Sequence, residues 1–180
     1  MTKITAMNGL ARAERIASQC EFDPLASALT ALVYDQGFAI GDVLSAIAVE
    51  SRRAGLRLGG MIERPGPKTG GKCDMLLEDL ASGETIRISE DRGELARGCR
   101  LDLNCLSRAC ALLLSCLSTT DLILLNKFGK AESEGGGFRC VIPDALALDI
   151  PIVIGVPRCN LDAWREFAGD LAVERHCLCP

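Results

Sequence analysis

Apolar residues along the chain follow two alternating patterns. Leu29 to Tyr34, Leu56 to Ile62, Leu122 to Leu125 and Ile150 to Val156 are short, nearly continuous apolar runs. Runs of this kind, bounded by turn residues, predict strands covered on both faces. Between them the apolar spacing changes to three and four residues. Leu103, Leu106, Cys110, Leu113 and Leu117 predict a helix over 103–118, with Asp102 as its natural cap. Val43 and Ile47, with Ala46 beside them, predict a helix over 42–54 that stops at Gly55. Further helices are expected over 137–148 and over 160–168, the second capped by Asn160 and carrying Leu161, Trp164 and Phe167. Leu171 to Val173 reads as a short last strand.

Two departures from this alternation stand out. Cys73 to Leu80 and Thr85 to Ser89 read as a hairpin joined by Ala81-Ser-Gly-Glu84, with Ile86 and Ile88 on one face. The stretch from Arg64 to Lys72 holds no large apolar residue and reads as a loop. Strands alternating with helices predict a three-layer α/β domain with a mostly parallel sheet and the hairpin as an insertion. Residues 1–24 form an expected helical extension, carrying Leu10, Ala13, Ile16 and Ala17 on one face. It is open to two readings, a helix packed on the domain or an arm for a homodimer. The domain itself is expected over 25–176, with 177–180 as a tail.

Composition narrows the function classes. At 48% hydrophobic and 24% charged, the 180-residue chain is globular. Only 4% of residues are aromatic and the net charge is -4, which argues against a nucleic-acid partner. The most apolar stretch, Ala109 to Leu117, is far shorter than the ~20 residues of a membrane-spanning helix. The N-terminus does not read as a signal peptide, so the cytoplasm is the expected location. There the ten cysteines are expected as thiols or metal ligands, most of them packed as small hydrophobes.

In an open α/β sheet, ligands sit beyond the carboxyl ends of the strands. Three places qualify. The first is the loop after the first strand, framed as Gln36-Gly37-Phe-Ala-Ile-Gly41-Asp42-Val43. It has the position of a phosphate-binding loop, but Asp42 stands where that motif has its lysine and Val43 where it has its hydroxyl. The second is the loop Asn126 to Gly137. Lys127 and Lys130, with Arg139 just beyond, are candidate anion ligands, Asn126 a candidate nucleotide contact, and Glu132 or Glu134 a candidate base or metal ligand. The third is the segment Arg92 to Arg100, with Cys99 beside two guanidinium groups. A separate metal reading joins Cys73 and Cys99, or His176, Cys177 and Cys179 with Cys159 or Cys20 as a fourth ligand.

Several stretches together resemble a known family. They are Gly59-Gly60, Asp74-Met-Leu-Leu-Glu-Asp-Leu-Ala-Ser-Gly83, Ile88-Ser-Glu-Asp-Arg-Gly93, Gly98-Cys-Arg-Leu-Asp102, Asn126-Lys-Phe-Gly-Lys130 with Glu132, and Asn160-Leu-Asp-Ala-Trp164. In this order they resemble the bacterial proteins catalogued as domain of unknown function 2478. That family is similar to the thermophilic nucleoside-triphosphatases, so the resemblance implies a P-loop NTPase-like architecture. In those enzymes a magnesium-binding acid and a catalytic glutamate precede an Ile-Gly-Lys-Met-Glu-like loop. Here Phe128-Gly-Lys-Ala-Glu132 keeps the loop, while Asn126 and Lys127 replace the acids. The resemblance therefore implies binding of a nucleotide (with magnesium) or another phosphate-like small anion, with weak or absent hydrolysis. Linkage of some relatives to molybdenum transport genes points to the alternative, an oxyanion or thiophilic-metal role. A regulatory or scaffold protein is the remaining alternative.

Overall fold

The computed structural model describes residues 23–69, 72–89 and 101–177. The expected extension and its reading as a dimer arm lie, but for Asp23 and Pro24, outside the described residues, as do Arg92, Cys99, Arg100 and Cys179. Seven strands make one sheet: β1 (Leu29–Tyr34), β2 (Leu58–Thr69), β3 (Lys72–Asp79), β4 (Thr85–Arg87), β5 (Leu122–Leu125), β6 (Ile152–Pro157) and β7 (Val173–His176). Their order is β4-β3-β2-β5-β6-β1-β7. The five strands from β2 to β7 in that order are parallel, and β3 and β4 add an antiparallel hairpin at one edge. The fold is the expected α/β architecture, P-loop NTPase-like and mostly parallel.

The helices are α1 (Ile40–Arg53), α2 (Leu103–Cys116), α3 (Lys130–Ser133), α4 (Val141–Ala147) and α5 (Leu161–Ala168). Alternate residues of each central strand face opposite ways. Leu29, Ala31 and Val33 of β1 join Ile123 and Leu125 of β5 in a core under α2, α4 and α5. Leu32 and Tyr34 join Leu122 and Leu124 in a second core under α1. This explains the unbroken apolar runs, because neither face of these strands is left to water.

Four expectations change in detail. Residues 64–69 are strand and not loop: Arg64 stands opposite Leu76, Pro65 opposite Met75 and Thr69 opposite Lys72, with an irregularity between Pro65 and Lys68. Backbone pairing at an edge hairpin needs no buried side chains, so it leaves no apolar signature. Leu103 begins the α2 stripe by spacing but is 63% exposed, while Leu106, Ala109, Cys110 and Leu113 are buried. Residues 137–140 form a 3-10 turn before α4. The last strand starts only at Val173, with Leu171 in a 3-10 turn. Asp102 caps α2 as expected, accepting from the N–H groups of Asn104 and Cys105.

The sheet has two ends of different character. At the end opposite the candidate site, Arg57 clasps Asp121 through both carboxylate oxygens, at 2.9 and 2.6 Å. Those hydrogen bonds hold the Asp121 carboxyl down at about 2. No helix among the described residues is long and apolar enough to cross a membrane.

Candidate functional site

At the carboxyl end of the sheet β5 stops at Leu125, and the next residues leave the ladder under tight control. Asn126 is buried although polar. Its Oδ1 accepts the Glu63 N–H at 3.2 Å, and its Nδ2 donates to Glu63 Oε2 at 3.1 Å. The same Glu63 oxygen receives Lys127 Nζ at 3.0 Å. Glu63, in β2, thus orders both residues from the neighbouring strand. It is absent from the sequence-derived candidates. The only signal for it is that it is the first polar residue after the apolar run of β2.

Phe128 anchors the loop. It is fully buried, its N–H donates to Gly155 O at 2.7 Å, and its ring meets Trp164 edge to face at 5.2 Å. It also stacks on Phe167 at 5.8 Å. Asn160, expected as a helix cap, makes no capping bond; its Nδ2 donates instead to Phe128 O at 2.9 Å. The α5 side of the core therefore fixes where the site loop begins.

Glu132 closes the loop from within. Its side chain is buried, with Oε2 accepting the Gly129 N–H at 2.9 Å and Oε1 the Phe138 N–H at 3.0 Å. Gly137 passes beside it with φ +57, and a Cβ there would lie 2.0 Å from Glu132 Oε1. Glycine alone tolerates both that backbone and that approach. The expected base is therefore a carboxylate with both oxygens on backbone amides, an arrangement that holds the loop in shape.

The other candidates are spread along the same edge. Gln36 and Gly37 lie exposed in the β1–α1 loop, and Asp42 is exposed on the first turn of α1. No side chain caps α1, whose Ala39 precedes it. Gly41 lies close to the Asn126 amide, for a Cβ built on it would stand 3.8 Å from Oδ1. Val43 is fully buried in the α1 core. Lys130 points to solvent, its side chain 81% exposed and its Nζ 3.7 Å from Glu134. Arg139 lies 4.3 Å over the Phe167 ring and donates from Nη1 to Glu132 O at 3.4 Å. Arg158, a second residue missing from the candidates, bonds Asp35 at 2.7 Å and ties the ends of β6 and β1 together. Burial, and then the charge of Glu63, push the Tyr34 phenol at the end of β1 up to about 12.

A cavity of about 280 Å³ lies beneath the loop, on the α2 side of the sheet. Its walls are Met75, Leu77, Ile88, Leu101, Leu106 and Phe138. Asn126, Lys127, Lys130 and Glu63 also border it. The structure thus brings Asn126, Lys127, Lys130 and Glu132 around one space.

Among the described residues, the cysteine and histidine candidates do not converge in this way. Cys177 is 2% exposed and packed in the α1 core, while His176 is exposed on β7 with Nε2 3.9 Å from Glu174. Cys73 opens β3, Cys159 is exposed beside Arg158, and no group of three metal-ligating side chains occurs among the described residues.

The chain has relatives among known proteins. The chain is 32% identical over 160 residues, 87% of its length, to the molybdenum import ATP-binding protein ModC 2 of Bradyrhizobium diazoefficiens. It spans only 18% of that relative. No solved structure matches the chain. The family model described as protein of unknown function (DUF2478) matches residues 29–178, and the chain belongs to that family.

Proposed function

We propose that the chain binds a nucleotide or another phosphate-like anion at the carboxyl edge of its sheet, and hydrolyses it weakly or not at all. The observation that carries this reading is the placement of Lys127 at the end of β5, fixed by Glu63 beside the first turn of α1. The likeness to an ATP-binding protein over 87% of the chain supports the choice of ligand. A lysine ammonium and free helix N–H groups are the ordinary partners of phosphate oxygens.

The reading of weak hydrolysis rests on the described residues of the edge. Phosphoryl transfer needs a cation on the phosphates, ligands for magnesium and a group that orients the nucleophile. Asp42 occupies the place of the phosphate-binding lysine. The magnesium positions of a P-loop enzyme are Val43 and Asn126 here: an apolar side chain without a ligand atom, and an amide whose Oδ1 already accepts the Glu63 N–H. Glu132 is committed to two amides. What remains is binding through Lys127, with Lys130 able to swing in, because its exposed pair with Glu134 is worth little.

The test is calorimetric titration of the purified chain with ATP, together with phosphate-release measurements. ATP is expected to bind and to release little phosphate. Lys127→Ala is expected to weaken binding roughly tenfold to a hundredfold, as loss of a charged hydrogen bond does. Absence of any binding at millimolar ATP would sink the reading. The relative's name, which speaks of molybdenum import, favours molybdate as a second ligand for the same titration. Competition between ATP and molybdate would place both at one site.

A further inference from the structure

We infer that the cavity under the Asn126–Glu132 loop is a binding site for an amphiphilic anion, with the apolar body buried and the charged head at Lys127 and Lys130. The inference deepens the anion-binding reading, on which it rests for the two lysines.

Three observations meet here. First, one side of the wall is apolar: Leu77, Ile88, Leu106 and Phe138 are each buried, and Met75 and Leu101 stand beside them. An apolar cavity offers water too few partners to hold it well, so an apolar group gains by entering. Second, the space of about 280 Å³ is the size of a small ring system or a short aliphatic chain and is too small for a peptide helix. Third, the polar groups lie together on the Asn126–Lys130 side. Glu132 is covered by two amide N–H groups and Glu63 is already matched by Lys127 and Asn126. Among the described lining residues, Lys130 is held by a loose solvent-exposed pair with Glu134. A carboxylate, sulfonate or phosphate head there would find two ammonium groups. A neutral ligand would leave them unused.

The probes are anilinonaphthalene sulfonate and its uncharged parent, phenylnaphthylamine, with fluorescence reporting transfer into an apolar site. The sulfonate is expected to bind at one per chain and about tenfold more tightly than the neutral compound. Ala131→Phe, which fills the cavity from α3, is expected to lower the affinity of both at least tenfold; Leu106→Phe does the same from α2 if the first variant fails to fold. Lys127→Ala combined with Lys130→Ala should bring the sulfonate down to the level of the neutral compound and leave the latter unchanged. Equal affinity for the two probes, non-saturable binding, or indifference to both filling variants would overturn the inference. ATP titration of the same proteins separates the two readings. Probe binding without ATP binding removes the nucleotide alone; ATP binding without probe binding removes the cavity site alone.

Discussion

Tyr34 is the only tyrosine of the chain, and it stands at the end of β1 where the candidate site begins. Burial and the Glu63 carboxylate both oppose its ionisation, which raises the phenol to about 12 from the usual 10. The sign of the linkage follows. Below pH ~10 the ring is neutral in both states and contributes no pH dependence. Between pH ~10 and about 12 the unfolded ring ionises and the folded one does not, so folding stability falls as pH rises through that window. Because no second tyrosine interferes, an ultraviolet titration of the native protein should show one phenolate transition displaced toward 12. A midpoint near 10 would mean that the ring is in water. Glu63 belongs to the same scale. As sequence it is one acid after a strand; in the fold it meets Asn126 and Lys127, residues 63 and 64 positions away.

At the scale of the element, the loop from Asn126 to Cys140 owes its shape to Glu132 and Phe128. The motif Phe128-Gly-Lys-Ala-Glu132 was legible in the sequence as a candidate site, and its glutamate as a candidate base. Which groups the carboxylate would meet was not legible, because Phe138 lies six positions on and beyond three glycines. Glu132→Ala would strand two buried N–H groups and is expected to lower stability by roughly 2–4 kcal/mol, read from urea unfolding. A glutamate serving proton transfer alone would leave stability unchanged. The β2–β3 hairpin teaches the complementary lesson. Residues 64–69 carry no apolar alternation yet pair as strand, because the energy lies in backbone bonds to β3 and in surface contacts such as Arg64 Nε to Glu78 at 2.6 Å.

For the whole molecule, the protected centre is the group β5, β6 and β1, whose side chains are shielded on both faces. The edges are β4 and β7, both short and largely exposed. Native-state amide exchange should therefore be slowest in β1, β5 and β6 and fastest in β4 and β7. Equal protection across the sheet would contradict a core concentrated in the middle strands. A rigid centre with the candidate site on the loops at its edge is the arrangement in which a ligand contact can vary while the fold holds.

The sequence alone determined the elements whose energy is local or one-dimensional. Doubly buried strands announce themselves as continuous apolar runs, and the α2 stripe and its Asp102 cap follow from spacing and from one side chain meeting the next turn. These patterns led to a mostly parallel α/β sheet and to the loop after β5 as a candidate site. Tertiary structure decided everything that depends on which distant residues meet. It set the strand order, turned Asn160 from a cap into a tether for Phe128, joined Glu63 to Lys127, and left the cavity between the hairpin, α2 and the site loop. A pairing between residues far apart in the chain leaves no period behind it, and a cavity is the space left after several elements have packed.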